Sequence, residues 1–392
     1  MDRTIPARPL TRWAGSLILL LASALSALGG AAAPPGGDKI WQKGKDTPIP
    51  GVITGESVEG IKLGATMSIP IISVANIDYF DAPDAYRRGH DRMEQGLYSD
   101  AIKLFEAALR NPTKAREFWL EPACRYYIAL CYVEDGTDLA TAEAKFKELL
   151  EKHPDTRFLP DALLGLGRVQ FNARRFDAAI AQFKKLGDLA AAKNGWEEWL
   201  STAYLWQARS YLESDRYDEA QRAVKRVLDA VGDPKHDLAI QARTILAMVL
   251  LKEDKPDRAV DLLRELIKTI APRVAEEVDK GGADVRMQRT EAQCHNALGQ
   301  AYLKLYGKTK KEEDLRSALL AYLWTVVLYP RSQFGGEHAE ALYNAAQCFE
   351  KLKQKNRATE LLNELTQKYP DSPFTRLLTP GKAAIPRKET EK

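Results

Sequence analysis

Five histidines, four cysteines and a few arginines in apolar surroundings are the side chains here with chemistry to offer. His90, His153, His236, His295 and His338 are scattered, and no two stand at the short spacings that bring metal ligands together. Gly307-Lys308-Thr309 has the ending of a phosphate-binding loop, but Tyr302 occupies the place of its first glycine and no strand precedes it. No G-x-S-x-G, H-E-x-x-H or dinucleotide fingerprint occurs, and Cys294-His295 lacks the spacing for haem attachment. Cys124 and Cys131 lie about 10 Å apart along one helix face, too far to bridge within it. Cys294 and Cys348 fall in separate helical segments, so the thiols read as small buried hydrophobes ahead of a disulfide or a metal site. The expectation is a protein without catalytic residues, cofactor or metal.

That leaves two arginines, Arg168 and Arg209, each directly after a small residue in a helical stretch. Arg168 sits in residues 161–183, DALLGLGRVQFNARRFDAAIAQF, where Gly165, Gly167, Ala178 and Ala179 take places that an ordinary amphipathic helix fills with bulk. Glycine inside a helix costs about 1 kcal/mol relative to alanine. Its use implies a crossing too close for leucine, with a bulky residue filling the space beside it. The arrangement recurs over residues 84–374. Gly89, Ala129, Gly167, Ala208, Ala247, Gly299 and Ala346 are each followed by an alanine at 101, 142, 179, 220, 259, 318 or 358. Four positions later stands Phe105, Phe146, Phe183, Val224, Leu263, Tyr322 or Leu362, and Pro112, Pro154, Pro330 and Pro370 close several units.

This pattern resembles the tetratricopeptide repeat, whose signature is W-x2-L-G-x2-Y, then A-x3-F, then P. The resemblance implies a mainly α chain: an α-α superhelix of about seven helix pairs in which neighbouring units share a continuous core. The alanine-to-alanine spacings of 41, 37, 41, 39, 59 and 40 exceed the family's usual repeat, so helices or loops must be extended. The longest gap holds residues 271–288. Gly281-Gly282 there reads as a break between two lengthened helices, and the region as the place for disorder or a partner contact.

In the family, first-helix positions two, five, nine and twelve line a concave groove. The resemblance therefore places Tyr86, Tyr126, Asn296 and Tyr343 there at position five, His90, Arg168, Arg209, Gln300 and Gln347 at position nine, and Phe171 at position twelve. The family's lysine and asparagine clamp for peptide C-termini is not reproduced; only Asn296 partly resembles it. Arg168 and Arg209 are read either as a grip on a partner's carboxylate or as ion-pair partners within the solenoid. Trp199 and Trp206, seven residues apart on one helix face, are read as packing between repeats or as a peptide or glycan platform.

Before the repeats, residues 38–80 change texture. Short β-branched runs at 52–54, 61–63 and 68–72, separated by Gly55, Gly60 and Gly64, read as a strand meander. The segment is similar to the small SH3- or Sm-like barrels that precede helical repeats in some exported bacterial proteins, and equally reads as a hairpin capping the solenoid. Residues 1–33 have the form of a secretory signal: Arg3, Arg8 and Arg12, an apolar run at 14–28 shorter than a membrane span, and small residues around a cleavage point near Gly30–Ala33. Without that leader the chain is near neutral, which argues against a nucleic-acid binder. The tail, residues 379–392, reads as solvated and disordered. The expectation is an exported, periplasmic or extracellular scaffold for a protein or peptide, resembling envelope members of the family in its PDTRF (154–158) and PDSPF (370–374) turns. A glycan-binding protein and a factor tethered by an uncleaved leader are the alternatives.

Overall fold

The computed structural model describes residues 37–110, 117–136, 138–280, 284–330 and 334–378. The leader, the tail, Pro112 and Gly281-Gly282 lie outside these residues. The chain divides into two compact units, the first ending at Ser214 and the second beginning at Asp215.

The first unit opens with strands β1 (Asp38–Gln42), β2 (Ile49–Gly51), β3 (Ile53–Glu56), β4 (Gly60–Leu63), β5 (Met67–Pro70) and β6 (Val74–Asp78). They form two three-stranded antiparallel sheets, β2-β1-β6 and β3-β4-β5. Asp38 joins the two ends of this segment, its carboxylate accepting from the Ile53 amide at 2.8 Å and the Phe80 amide at 3.0 Å. Gly55 and Gly60 lie in strands, not turns. Gly55 sits beside a register shift, and a Cβ on Gly60 would meet the Ile69 carbonyl oxygen at 2.3 Å, so close backbone approach requires glycine there. Helices α1 (Asp84–Glu94), α2 (Tyr98–Arg110), α3 (Glu117–Asp135), α4 (Leu139–Lys152), α5 (Leu159–Asn172), α6 (Phe176–Ala191) and α7 (Glu197–Glu213) complete the unit. Ile40, Ile53, Ile61 and Ile69 of the strands bury into the same core as Phe105, Leu120, Phe146 and Phe158 of the helical part.

The second unit holds α8 (Tyr217–Val231), α9 (Asp237–Lys252), α10 (Pro256–Asp279), α11 (Val285–Thr309), α12 (Glu312–Leu328), α13 (Gly335–Lys351), α14 (Lys355–Lys368) and the short α15 (Pro373–Arg376). At 24 and 25 residues, α10 and α11 are the lengthened helices that the long spacing implied. Consecutive helices within each unit pack as antiparallel neighbours around interiors that include Ile240, Leu266 and Tyr322 in the second. No helix of the described residues is long and apolar enough to cross a membrane.

The small residues sit where one helix of a pair meets an aromatic ring of the next. An added Cβ would lie 2.7 Å from the Phe105 ring at Gly89, 2.4 Å from Phe183 at Gly167 and 2.6 Å from Tyr322 at Gly299. Gly165 does the same for Phe146 of the preceding pair, at 2.5 Å. Alanine stands at the equivalent place where the bulky residue is aliphatic, as with Ala247 and Leu263 or Ala346 and Leu362. Volume is thus balanced at Gly89, Gly167 and Gly299, where a ring faces hydrogen, while Ala129 stands in register with Phe146, whose ring meets Gly165 of the next pair.

The turns within pairs are built alike. Each first helix is followed by one residue with positive φ: Gly96, Gly136, Arg174, Asp215, Asp254, Lys310 and Lys353, all between 58° and 75°. After α5 the Arg174 amide donates to the Phe171 carbonyl at 2.9 Å and the Arg175 amide to Gln170 at 2.8 Å. The same pair of bonds follows α9 and α13, closing the helix ends before the chain reverses.

The crossing generates a direct test. Phe183 is fully buried and stacked on Trp206, so it has nowhere to move when Gly167 gains a methyl group. Gly167→Ala should lower the thermal midpoint despite its better helix propensity, and Ala179→Leu should destabilise by about 1–3 kcal/mol. Unchanged melting of both variants would contradict the crossing described here.

Candidate functional site

In the first unit the first helices α3, α5 and α7 lie side by side. Gly167 points into the crossing, so its neighbour Arg168 is rotated out of it and is exposed. Ala208 is fully buried in α7, and the following Arg209 emerges half-buried in the same way. Both guanidinium groups lie over one indole: Arg168 at 5.5 Å and Arg209 at 4.9 Å from the Trp206 ring centroid. Trp206 in turn stacks on Phe183 at 5.6 Å and meets the edge of Phe171 at 5.6 Å. Phe171 and Phe176 are themselves edge to face at 5.5 Å. Helical spacing assembles this group, since Arg168 and Phe171 are three residues apart on α5, as are Trp206 and Arg209 on α7.

The electrostatics follow from the geometry. Burial, and then the positive charge of Arg168, hold Arg209 down at about 10, well below an ordinary guanidinium. Glu134 of α3 is raised by burial, with Arg168 acting in the opposite direction. Arg168 itself forms no ion pair among the described residues.

Nearer the strands, other sequence-predicted groove residues are taken up in packing. Tyr86 is 6% exposed, edge-on to Trp119 at 5.3 Å and to Phe105 at 5.8 Å. His90 is half-buried between the edges of Tyr127 at 4.3 Å and Tyr86 at 4.6 Å. Burial and then the charge of Arg157 lower it to about 4, so it is neutral near pH 7. Tyr126 stacks on Phe158 at 4.5 Å. Tyr86 is thus a buried member of an aromatic cluster, and His90 stands half-buried within it.

The strand segment is joined to the helices through a strand residue that the sequence did not single out, Glu56. Arg157, in the PDTRF turn, forms a buried ion pair with Glu56 of β3 at 2.8 Å. The Tyr79 hydroxyl also donates to Glu56, and its ring stacks on Trp119 at 3.6 Å, nearly parallel. The Val58 amide donates to the Asp155 carbonyl at 2.9 Å, and Val58 packs with Trp196, Trp199 and Ile72. Trp199 is therefore in packing against Leu163, Leu186 and the strand segment, separate from Trp206. Asp161, at groove position two on α5, is raised by burial to about 6 in spite of Arg157 and Lys43 nearby.

In the second unit, Asn296 is 2% exposed, its amide donating to the Glu337 carbonyl at 2.9 Å and the Glu340 carboxylate at 3.1 Å. It joins α11 to α13 and is not at the surface. Gln300 is exposed, Gln347 half-buried, and Tyr343 half-buried beside the Phe374 ring at 5.8 Å. The PDSPF turn therefore repeats what PDTRF does, its phenylalanine lying on the position-five tyrosine of its own pair. All four cysteines are buried and free, their thiols pushed up to about 12 by burial. Among the described residues no group of three or more histidine, cysteine or acidic side chains is placed to hold a metal.

Comparison with known proteins accords with this geometry. Family models described as tetratricopeptide repeat match residues 86–155, 132–193, 206–274 and 340–372, together more than half of the chain. The chain belongs to the tetratricopeptide repeat family. Its fold is shared with a tetratricopeptide repeat protein from Parabacteroides merdae (TM-score 0.54, 14% identity, covering 75% of this chain and 96% of that one). It is also shared with the apo form of the quorum sensor NprR from B. thuringiensis (TM-score 0.51, 13% identity, 72% and 75% coverage). No curated protein matches the sequence.

Asp161 provides a pH test. Its carboxyl is raised in the folded state, so the stability it contributes is present below about pH 4 and is lost as pH rises through about 6. Asp161→Asn should melt higher than the parent at pH 7.5, and the difference should shrink to nothing near pH 4. A difference independent of pH would contradict the burial of this carboxyl.

Proposed function

We propose that the protein is a non-catalytic scaffold of the bacterial cell envelope that binds a protein or peptide partner along its first-helix faces. The family is one of protein-binding repeats, and nothing in the motif inventory supplies a nucleophile, base and oxyanion site together. One observation carries the reading. Stacking sinks the small residues and their rings completely, yet Arg168, Phe171, Arg209, Gln300, Tyr343 and Gln347 stay at or near the surface on the first helices. Within each unit, long polar and aromatic side chains held by packed helices offer an interaction surface with little ordering left to lose on binding. The envelope part of the proposal rests on the leader: three arginines, an apolar run over 14–28, and small residues before Pro34.

Two measurements test it. A photo-crosslinking amino acid placed at Phe171, Gln300 or Gln347 should capture a partner in cells, whereas one at Lys184 or Lys225, exposed on second helices, should not. Equal capture from both sets would remove the first-helix faces as the binding surface. N-terminal sequencing of the mature protein should begin after the segment Gly30–Ala33; an N-terminus at Met1 in a cytosolic fraction would end the envelope assignment.

A further inference from the structure

We infer that the outward face of α12 is a self-association surface, on which two copies of this chain pair as an antiparallel dimer. The inference goes beyond the scaffold reading, since this face belongs to a second helix. Leu320, Trp324, Val327 and Leu328 are 58%, 47%, 69% and 46% exposed. Their spacing puts them on one side of the helix, while Leu315, Ala318, Leu319 and Tyr322 fill the unit's interior from the other. The second half of α12 is therefore apolar all round, the pattern of a helix covered on both sides. The repeat itself does not require this. Counted from the second-helix alanine, the places of Leu320, Trp324 and Val327 are taken by Arg222, Arg226 and Asp229 in α8 and by Asp261, Glu265 and Lys268 in α10, all exposed. The other exposed large hydrophobics among the described residues form no such run on one helix.

The stripe is complementary to itself. Leu320 stands four residues before Trp324 and Leu328 four after, so it reads the same in either direction. A two-fold axis at Trp324 lays Leu320 of one copy on Leu328 of the other, with the helix dipoles opposed. The Trp324 ring is already held, stacked on His295 at 6.1 Å, so it loses little freedom on pairing. At these exposures the four side chains leave roughly 400 Å² of apolar surface, the size of a monomer's largest and often functional patch. Two such stripes, with Glu313, Arg316 and Ser317 as rim on the same side, reach the roughly 1,000 Å² that a specific interface buries in total. Glu312 and Glu313, exposed at the start of the helix, disfavour an anionic lipid surface as the cover.

The test uses the chain purified from its native cells, so that any processing has occurred. Sedimentation equilibrium over about a hundredfold range of concentration should resolve monomer and dimer. Val327→Glu and Trp324→Glu should each raise the dimer's Kd by about tenfold or more, whereas Lys268→Glu, at the matching place on α10, should leave it unchanged. Val327 is the most exposed of the four, so its variant should keep the monomer's melting curve, which separates lost pairing from lost folding. For the register, a short bis-maleimide should join Leu320→Cys to Leu328→Cys in a mixture of the two proteins, and neither efficiently to itself; the four native cysteines are buried. A monomer at every concentration, a dimer indifferent to Val327→Glu, or Leu320→Cys joined mainly to itself would each overturn the inference. A monomer that sediments with phosphatidylglycerol vesicles, and loses them in Val327→Glu, would overturn it in favour of a lipid surface.

Discussion

In the pairs built on Gly89, Gly167 and Gly299, a buried ring presses on a backbone that carries no side chain. Phe183 against Gly167 is the sharpest case, with the ring less than a Cβ contact away from the glycine backbone. This contact sets the distance between the two helices, and through it the rotation of the first helix about its own axis. Once the small residue faces the ring, its neighbours are fixed. The residue one position on is turned about 100° from the crossing, while the residue four on stays on the side of the small one. The exposed face of α5 is thus decided by a packing constraint on the opposite side of the helix.

The same constraint sets the direction of three large polar residues that follow small ones, whereas Leu130 and Met248 follow Ala129 and Ala247. Arg168 follows Gly167, Arg209 follows Ala208, and Gln300 follows Gly299. A small residue lets the neighbouring helix come close, and the side chain beside it rises from the edge of that contact with its stem supported: Arg168 is exposed and Arg209 half-buried. In α5 and α7 the two supported heads reach one indole whose other contacts are Phe171 and Phe183. The aromatic group fills the joint between the helices, and the same ring carries both guanidinium groups.

Much of this was legible in the sequence because it is local and repeated. The small-residue, alanine and bulky-residue spacing located the helix pairs, and the long spacing before Ala318 foretold the lengthened α10 and α11. What was not legible depends on contacts between residues far apart in the chain. Glu56 and Arg157 lie in a strand and a turn with unremarkable local sequence, and only folding joins them. Gly60 read as a turn because glycine usually marks one, whereas here it admits the Ile69 carbonyl. Trp206 was paired with Trp199 by helical periodicity, but periodicity gives a shared face and not a shared neighbour. The positive-φ residues Arg174, Asp215, Asp254, Lys310 and Lys353 carry no glycine signal, so the regularity of the turns emerges only from the backbone.

The strand segment changes what the repeat register alone would imply. Position five or nine of a first helix is surface only if nothing packs on it, and Tyr86 is buried while His90 and Tyr126 are half-buried among other rings. Tyr79 lies flat on Trp119, and Glu56 reaches Arg157 beside the cluster of Tyr86, Tyr127 and His90. Burying the Glu56–Arg157 pair carries a desolvation penalty that a purely apolar joint would avoid. The penalty is tolerable because Tyr79 donates to the same carboxylate and the Phe158 ring lies 4.0 Å from the guanidinium carbon. Such a pair fits only one docking of the strands on the helices, since any slip leaves two buried charges apart. The strands thereby dock beside α3 in one fixed register, held by Glu56 on Arg157 and Tyr79 on Trp119.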